Sequence, residues 1–449
     1  YSVRAVATDL AGNTATTALS TTNGRITVDT TAPTAGTLTM TSTDTGSSAS
    51  DGIINTLTPS FSLTASGTAD TAYTGSNAPT AAIASVVLQV SSDAGTTWTD
   101  NATFTGSGPY TVTSATLTTN TTYSVRAKVF DLAGKSVMTA LSTSSGSLTI
   151  DTTAPSTAGT IAVSETDGTA NDGVVKTSTP AFTVTSPADS GYTAAAIWKV
   201  QLQVASGTGQ TTGFADTGSA VTSASSGVYT LTTGTLAAGT YTIRAVATDV
   251  AGNETITGST VNVAVDLTAP TAGTVAVTDT YGSSTSDNIV RSGTPSFTVT
   301  GATDTDTYTV PGTAAVASVQ LQQVSGAAQT SGFANTGSAV TSATSGVYTL
   351  TPTSLSDGTY TIRALVTDLA GNQSTTAGIT VYVDTTAPTA GTLTMTTTDN
   401  GSSSSDGIIG TLTPSFSLAS PSDTGYTGAG IASVVVQVST DDGGTWTTK

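Results

Sequence analysis

Histidine and cysteine are absent from all 449 residues, and lysine and arginine together number only 11. Without those two residue types, thiol nucleophiles, disulfide staples and the usual serine–histidine and cysteine–histidine pairs are excluded. Zinc sites of ordinary composition go with them. Aromatic residues make up 5% of the chain, too few to wall a deep sugar-cleaving cleft, so the chain reads as non-catalytic. Against the 11 bases stand 29 acids, for a formal net charge of -18. That balance disfavours nucleic acid and anionic membrane as partners and favours cations. No apolar run is long enough to span a bilayer as a helix, so no membrane contact is expected in this segment.

What is present repeats. YSVRAVATDLAGN begins at Tyr1, YSVRAKVFDLAGK at Tyr123, YTIRAVATDVAGN at Tyr241 and YTIRALVTDLAGN at Tyr360. Each is followed by Asp-x-Thr-Ala-Pro, starting at Asp29, Asp151, Asp266 and Asp384. A period of about 120 residues is one small domain, not a solenoid turn. The expected units are three complete domains at 29–150, 151–265 and 266–383. Residues 1–28 match only the final strands of a unit, and residues 384–449 only its first half, as in an excerpt of a longer array. Near-identical stretches, such as TAGTLTM after both Pro33 and Pro388, point to duplication and to a protein whose length matters.

Within a unit the apolar pattern has period two. Val86, Leu88 and Val90 alternate with Gln89, and Val200, Leu202 and Val204 alternate with Gln201 and Gln203. Bounded by Gly, Asp, Ser and Thr, such runs are half-buried antiparallel strands. Tyr241, Ile243, Ala245 and Ala247 share one face with Arg244 opposite, and the strand then turns through Asp249-Val-Ala-Gly-Asn253. About seven such runs per unit, with no helical periodicity, predict an all-β fold of tandem Greek-key β-sandwiches, beads on a string. A Tyr opening the penultimate strand after a tight corner (Tyr123, Tyr241, Tyr360) is the sequence form of a tyrosine corner.

The pairing of this Tyr-led hairpin with the Asp-x-Thr-Ala-Pro linker resembles the bacterial immunoglobulin-like domains found in tandem in giant, calcium-dependent surface adhesins and biofilm-associated proteins. The resemblance covers the whole chain and implies an immunoglobulin-like fold. It also implies an extracellular, cell-surface location and a role as a calcium-stiffened stalk that holds a binding domain away from the cell.

In such a sandwich, the loop between the first two strands lies at the end where the chain leaves. The next loop and the turn of the last hairpin lie where it enters. The acids sit in these places. Asp29, Asp151, Asp266 and Asp384 open the linkers; Asp131, Asp249 and Asp368 open the hairpin turns, with Asn253 and Asn372 closing two of them. Asp44, Asp51, Glu165, Asp167, Asp172, Asp279 and Asp287 lie in the first loop, and Asp70, Asp189, Asp304, Asp306 and Asp423 in the second. One joint is expected to gather Asp44, Asp51, Asp189 and Asp249 around Asp151. The next gathers Glu165, Asp167, Asp172, Asp304, Asp306 and Asp368 around Asp266. Carboxylates so placed suit calcium, which accepts 6 to 8 oxygens in flexible geometry. Turn formation alone also accounts for single Asp residues in such loops.

Two stretches, Ser91 to Trp98 and Ser439 to Trp446, carry the Ser-x-Asp-x-Gly-x-Thr-Trp pattern, which resembles the structural Asp-box hairpin of sialidase-like propellers. The expected role is a stalk or spacer with calcium as its structural cofactor and further copies of the repeat as neighbours in cis. Two alternatives remain open at this stage. One is a self-assembling surface fibre or surface-layer subunit with lateral contacts; the other is a carbohydrate-binding array using Trp98 and Trp446.

Overall fold

The computed structural model describes the chain except residues 22–23, 65–82, 106–107, 144–145, 166–171, 191–196, 279–286, 306–315, 400–401 and 426–429. Asp70, Asp167, Asp279 and Asp306 therefore lie outside the described residues. Every regular element among the described residues is a β-strand.

The unit that starts at Asp151 sets the pattern. Its strands are β1 (Thr160–Ser164), β2 (Val174–Val175), β3 (Ala181–Thr185), β4 (Ile197–Ser206), β5 (Ala215–Val221), β6 (Val228–Thr232), β7 (Gly239–Asp249), β8 (Glu254–Ile256) and β9 (Val261–Val265). One sheet is β1-β3-β6; the other runs β2-β9-β7-β4-β5, with β8 paired to the far half of β7. The units on either side repeat the same nine strands in the same order, so the labels serve all three. The fold is the expected immunoglobulin-like sandwich.

Alternation places the core between the sheets. Phe182, Val184 and Leu231 from the small sheet meet Val200, Leu202, Ile243, Ala245 and Ala247 from the large one. Phe61 and Phe297 occupy the place of Phe182 in their own units, and all three are among the largest fully buried side chains. Truncating Phe182 to Ala would cost about 3 to 5 kcal/mol, because a dry interior relaxes only partly around the void. The Tyr241 hydroxyl donates to Ala237 O at 3.0 Å and that of Tyr360 to Ser356 O at 3.1 Å. In the first unit the Tyr123 hydroxyl accepts from Thr118 N–H at 3.0 Å. All three fix the corner before β7.

Two features depart from the periodic reading. The final strand is broken into β8 and β9, and the first loop ends in the two-residue β2, which pairs in parallel with β9 through Val174↔Ala264 and Val175↔Val265. That short pairing positions the joint. The backbone of each linker Asp continues it: Asp151 N–H donates to Ile54 O, Asp266 to Val175 O and Asp384 to Val290 O, each at 2.9 Å. Each linker Asp is thus zipped to the unit it leaves. Residues 384–449 form two short paired ladders with an exposed apolar groove lined by Leu393, Phe416, Leu418 and Val435.

Candidate metal centre

Among the described residues, two groups of three carboxylates stand at the joints. Asp151, Asp189 and Asp249 form one and Asp266, Asp304 and Asp368 the other, each with an oxygen from every member within 4.8 Å of the rest. In both, one acid comes from the linker, one from the β3–β4 loop and one from the β7–β8 turn of the following unit. Asp151, Asp249 and Asp368 are 0% exposed and Asp266 is 3% exposed.

Local hydrogen bonding aims these groups. Each linker Asp uses one oxygen to accept from the N–H two residues on: Asp151 Oδ1 from Thr153 at 3.0 Å and Asp266 Oδ1 from Thr268 at 2.9 Å. The turn Asp builds its own hairpin, Asp249 Oδ1 accepting from Ala251 and Asn253 N–H at 2.9 Å each. Asp368 Oδ1 accepts from Asn372 N–H at 2.8 Å. With one oxygen spent on the backbone, the second stays available to the cluster in Asp151 and Asp368. Asp151 Oδ2 and Asp368 Oδ2 are buried with no hydrogen-bond partner. Burial first, and then the charges of Asp249 and Asp189, push the Asp151 carboxyl above its ordinary range.

These residues fit a hard divalent cation. A shell with metal–oxygen distances of about 2.4 Å is about 4.8 Å across, the span of each triad. Left bare, two carboxylates that far apart repel by roughly 3 to 4 kcal/mol at an effective dielectric of about 20. Buried polar atoms without partners are rare in native interiors, and a bound ion is one reason for them.

Of the other expected ligands, Asn253 and Asn372 border the triads and the described acids lie outside them. Asp44 and Asp51 are not in the triad of their joint. Burial and the nearby Asp51 charge raise the Asp44 carboxyl, while Asp51 Oδ1 accepts from Ile53 N–H at 2.9 Å. Asp172 accepts from Val174 N–H at 2.8 Å and Asp287 from Ile289 N–H at 3.0 Å in the same turn. Glu165 accepts from Gly173 N–H at 2.7 Å, closing the loop onto itself. Asp51, Asp172, Asp287 and Glu165 shape the lead-in to β2, whereas both Asp44 oxygens and Asp172 Oδ2 are buried with no hydrogen-bond partner. Asn253 and Asn372 act as donors: Asn253 Nδ2 reaches Asp151 O at 3.0 Å and Asp249 Oδ2 at 2.9 Å, and Asn372 Nδ2 reaches Asp266 O at 3.1 Å.

At the outer joints the described acids are similarly engaged. Asp29 accepts from Thr31 N–H at 2.9 Å and Asp131 from Lys135 N–H at 2.8 Å; the second oxygen of each is buried without a partner. Asp384 Oδ1 accepts from Thr386 N–H, and Asp423 Oδ1 from Gly425 N–H at 3.2 Å. A Cβ on Gly425 would stand 2.0 Å from Asp384 Oδ1, so a larger residue there would push the linker acid's side chain aside.

Sequence reading missed a ladder on the outer face of the large sheet. Arg244 Nε donates to Gln203 Oε1 at 2.8 Å, Gln203 donates to Asp216 at 2.9 Å, and the guanidinium lies 4.1 Å from the Phe214 ring centroid. Arg126, Gln89, Asp100 and Trp98 repeat it, as do Arg363, Gln322, Asn335 and Phe333. Arg244, taken from the pattern as merely facing out, is a packed member of that face. The signal was the Gln at matched register on β4.

The comparison with known families falls on the unit holding the second triad. Residues 266–385 match the family model described as bacterial Ig-like domain. That unit is similar to the bacterial Ig-like domains, and the units on either side repeat its strands in the same order. No curated protein matches. Among solved structures the array is similar to the FN1-FN3 domains of chicken CNTN1, at 13% identity and TM-score 0.32, covering 78% of this chain and 99% of that one. It is also similar to the fibronectin(III)-like modules of Clostridium thermocellum CbhA, at 16% identity and TM-score 0.30, covering 50% and 94%.

Proposed function

We propose that this array of bacterial Ig-like domains is a non-catalytic spacer in the stalk of a large extracellular adhesin, with calcium bound at each joint to hold successive domains in line. The observation that carries the reading is the make-up of each triad. Its linker acid is zipped to the preceding sandwich, and its other two acids belong to the following one. An ion shared by all three would couple two otherwise separate bodies. Oxygen-only ligands and the absence of His and Cys favour calcium over zinc. Extracellular modules bind calcium at about 10⁻⁴ to 10⁻³ M, the range in which a surface protein would be loaded.

The test is small-angle scattering of the full chain with calcium and then with chelator. The maximum dimension should be long in calcium and shorten on chelation, and Asp151→Asn should reproduce part of the shortening with calcium present. An unchanged profile, together with no calcium uptake by calorimetry, would sink the reading.

A further inference from the structure

We propose that the β7–β8 turns of the second and third units are plugs that dock on the unit before, on its β1–β2 loop at the first joint and on its β2 and β9 at the second, and that this contact forms whether or not a cation is bound, the cation adding stiffness to the joint. At the first complete joint the two backbones touch. Ser47 N–H, in the loop of the first unit, donates to Val250 O, in the turn of the second, at 3.0 Å. A Cβ on Gly46 would lie 1.9 Å from Val250 O, and one on Gly252 would lie 3.0 Å from Thr45 Oγ1. Backbone atoms cannot move aside as a flexible side-chain tip can, so Gly46 is required by the close approach.

The Ala of the turn is the knob. Ala251 and Ala370 are 0% exposed, and Ala370 packs in a cluster with Val174 and Ala264 of the preceding unit, on its paired β2 and β9. Lys176 of that unit reaches Gly371 O at 3.5 Å. The same motif supplies its own comparison: Ala133, on whose turn no described residue docks in this way, is exposed. Burial of the Ala therefore comes from the neighbouring unit and not from the hairpin.

The motif Asp-x-Ala-Gly-Asn thus divides its work. Asp joins the triad, Ala fills the socket, Gly permits backbone contact and Asn holds the linker carbonyl. The partner this surface fits is another copy of the repeat, presented in one orientation.

Hydrogen exchange on the full chain tests the docking. In calcium the segment 41–52 should be protected, and Gly46→Ala should speed its exchange about fivefold, the effect of one lost backbone hydrogen bond. Calcium stoichiometry should not change. Ala370→Leu, which overfills the second socket, should do the same for the segment around Val174. Protection of 121–131 and Trp98 emission report that the first unit remains folded. Gly46→Ala without effect in a folded chain would overturn the proposal. So would loss of the same protection from the unsubstituted chain on chelation alone, since the plug would then depend on the ion. Failure of the calcium reading looks different: no uptake by the unsubstituted chain, with the Gly46→Ala effect intact.

Discussion

The side-chain amide of Asn253 donates to the backbone carbonyl of Asp151 at 3.0 Å, across 102 residues of chain. The same amide nitrogen reaches Asp249 Oδ2 at 2.9 Å, so one group holds both the linker and the turn acid of the triad. Asn372 repeats the bond to Asp266 O at 3.1 Å. Recurrence at both complete joints makes it part of the joint's design and not a local accident of one loop.

Replacing Asn253 with Ala should leave both flanking sandwiches folded and loosen only this joint, at a cost of about 1 kcal/mol for the neutral bond and somewhat more for the charged one. The chain has no cysteine, so spin labels on Thr111→Cys and Thr230→Cys, both exposed strand positions, report the angle cleanly. The distance distribution should broaden in Asn253→Ala. A pair at Thr230→Cys and Thr349→Cys, spanning the next joint, should not change.

The acid triad predicts opposite responses to pH with and without calcium. Burial, with Asp249 and Asp189 nearby, raises the Asp151 carboxyl above its usual value. A raised acid means that the folded joint binds a proton more readily than the unfolded chain does. In chelator, stability should therefore rise as pH falls toward and below the raised value, and decline as pH climbs through it. With calcium the order inverts, since protons then compete with the ion. Thermal unfolding from pH 3 to 8 under both conditions should give curves of opposite slope; parallel curves would mean that no ion binds there.

Much of this was legible in the sequence and some was not. Val200, Leu202, Ile243 and Ala245 announce their strands because alternation is a one-dimensional signal. Tyr241 and the Asp249–Asn253 turn are legible because their chemistry is local. Asp51 and Asp172 were ambiguous in the sequence because an Asp before Gly reads alike as a ligand or as a turn acceptor. In the structure one oxygen of each, and one of Glu165, accepts from an N–H group that leads into β2. A two-residue parallel pairing such as Val174 with Ala264 has no period to detect. The stack of Arg126 on Trp98, 3.8 Å from the ring centroid, joins strands that only the register brings together.

The Asp93 hairpin should resist acid far longer than calcium-loaded joints. Thr97 donates to Asp93 through its hydroxyl at 2.5 Å and its N–H at 2.8 Å, and Ser91 adds a bond at 2.7 Å. These hold the carboxyl at about 2. A depressed acid contributes above its unfolded value and loses that contribution as pH falls through the folded one. Trp98, whose indole N–H is bonded to Gly95 O at 2.9 Å, should keep its emission down to about pH 3 and change only toward pH 2. Asp93→Ala should abolish that step. Because the indole N–H is engaged and one ring face is covered by Arg126, Trp98 serves the hairpin and the sheet before any sugar.

The three exits are not equally held, and the difference is written in matched residues. Asp357, at the corner before β7 of its unit, accepts from Thr385 N–H at 2.7 Å and from the Thr385 and Thr386 hydroxyls at 2.6 and 2.5 Å. In the first unit the corner residues Thr119 and Asn120 accept from Thr152 and Thr153. In the second unit the matching corner residue is Ala238 and the linker residue is Leu267, which is 45% exposed. Alanine and leucine side chains carry no polar atom, so this latch cannot form at the exit from the second unit. Labels at 230 and 349 should accordingly give a broader distribution than labels at 111 and 230 in the same buffer. Ala238→Asp restores an acceptor for the 267 N–H and the Thr268 hydroxyl; Leu267→Thr adds the remaining donor. The double substitution should narrow the 230–349 distribution more than the two single ones combined, because each group needs the other. Equal widths at the two joints before substitution would show that the plug and the triad alone determine the angle.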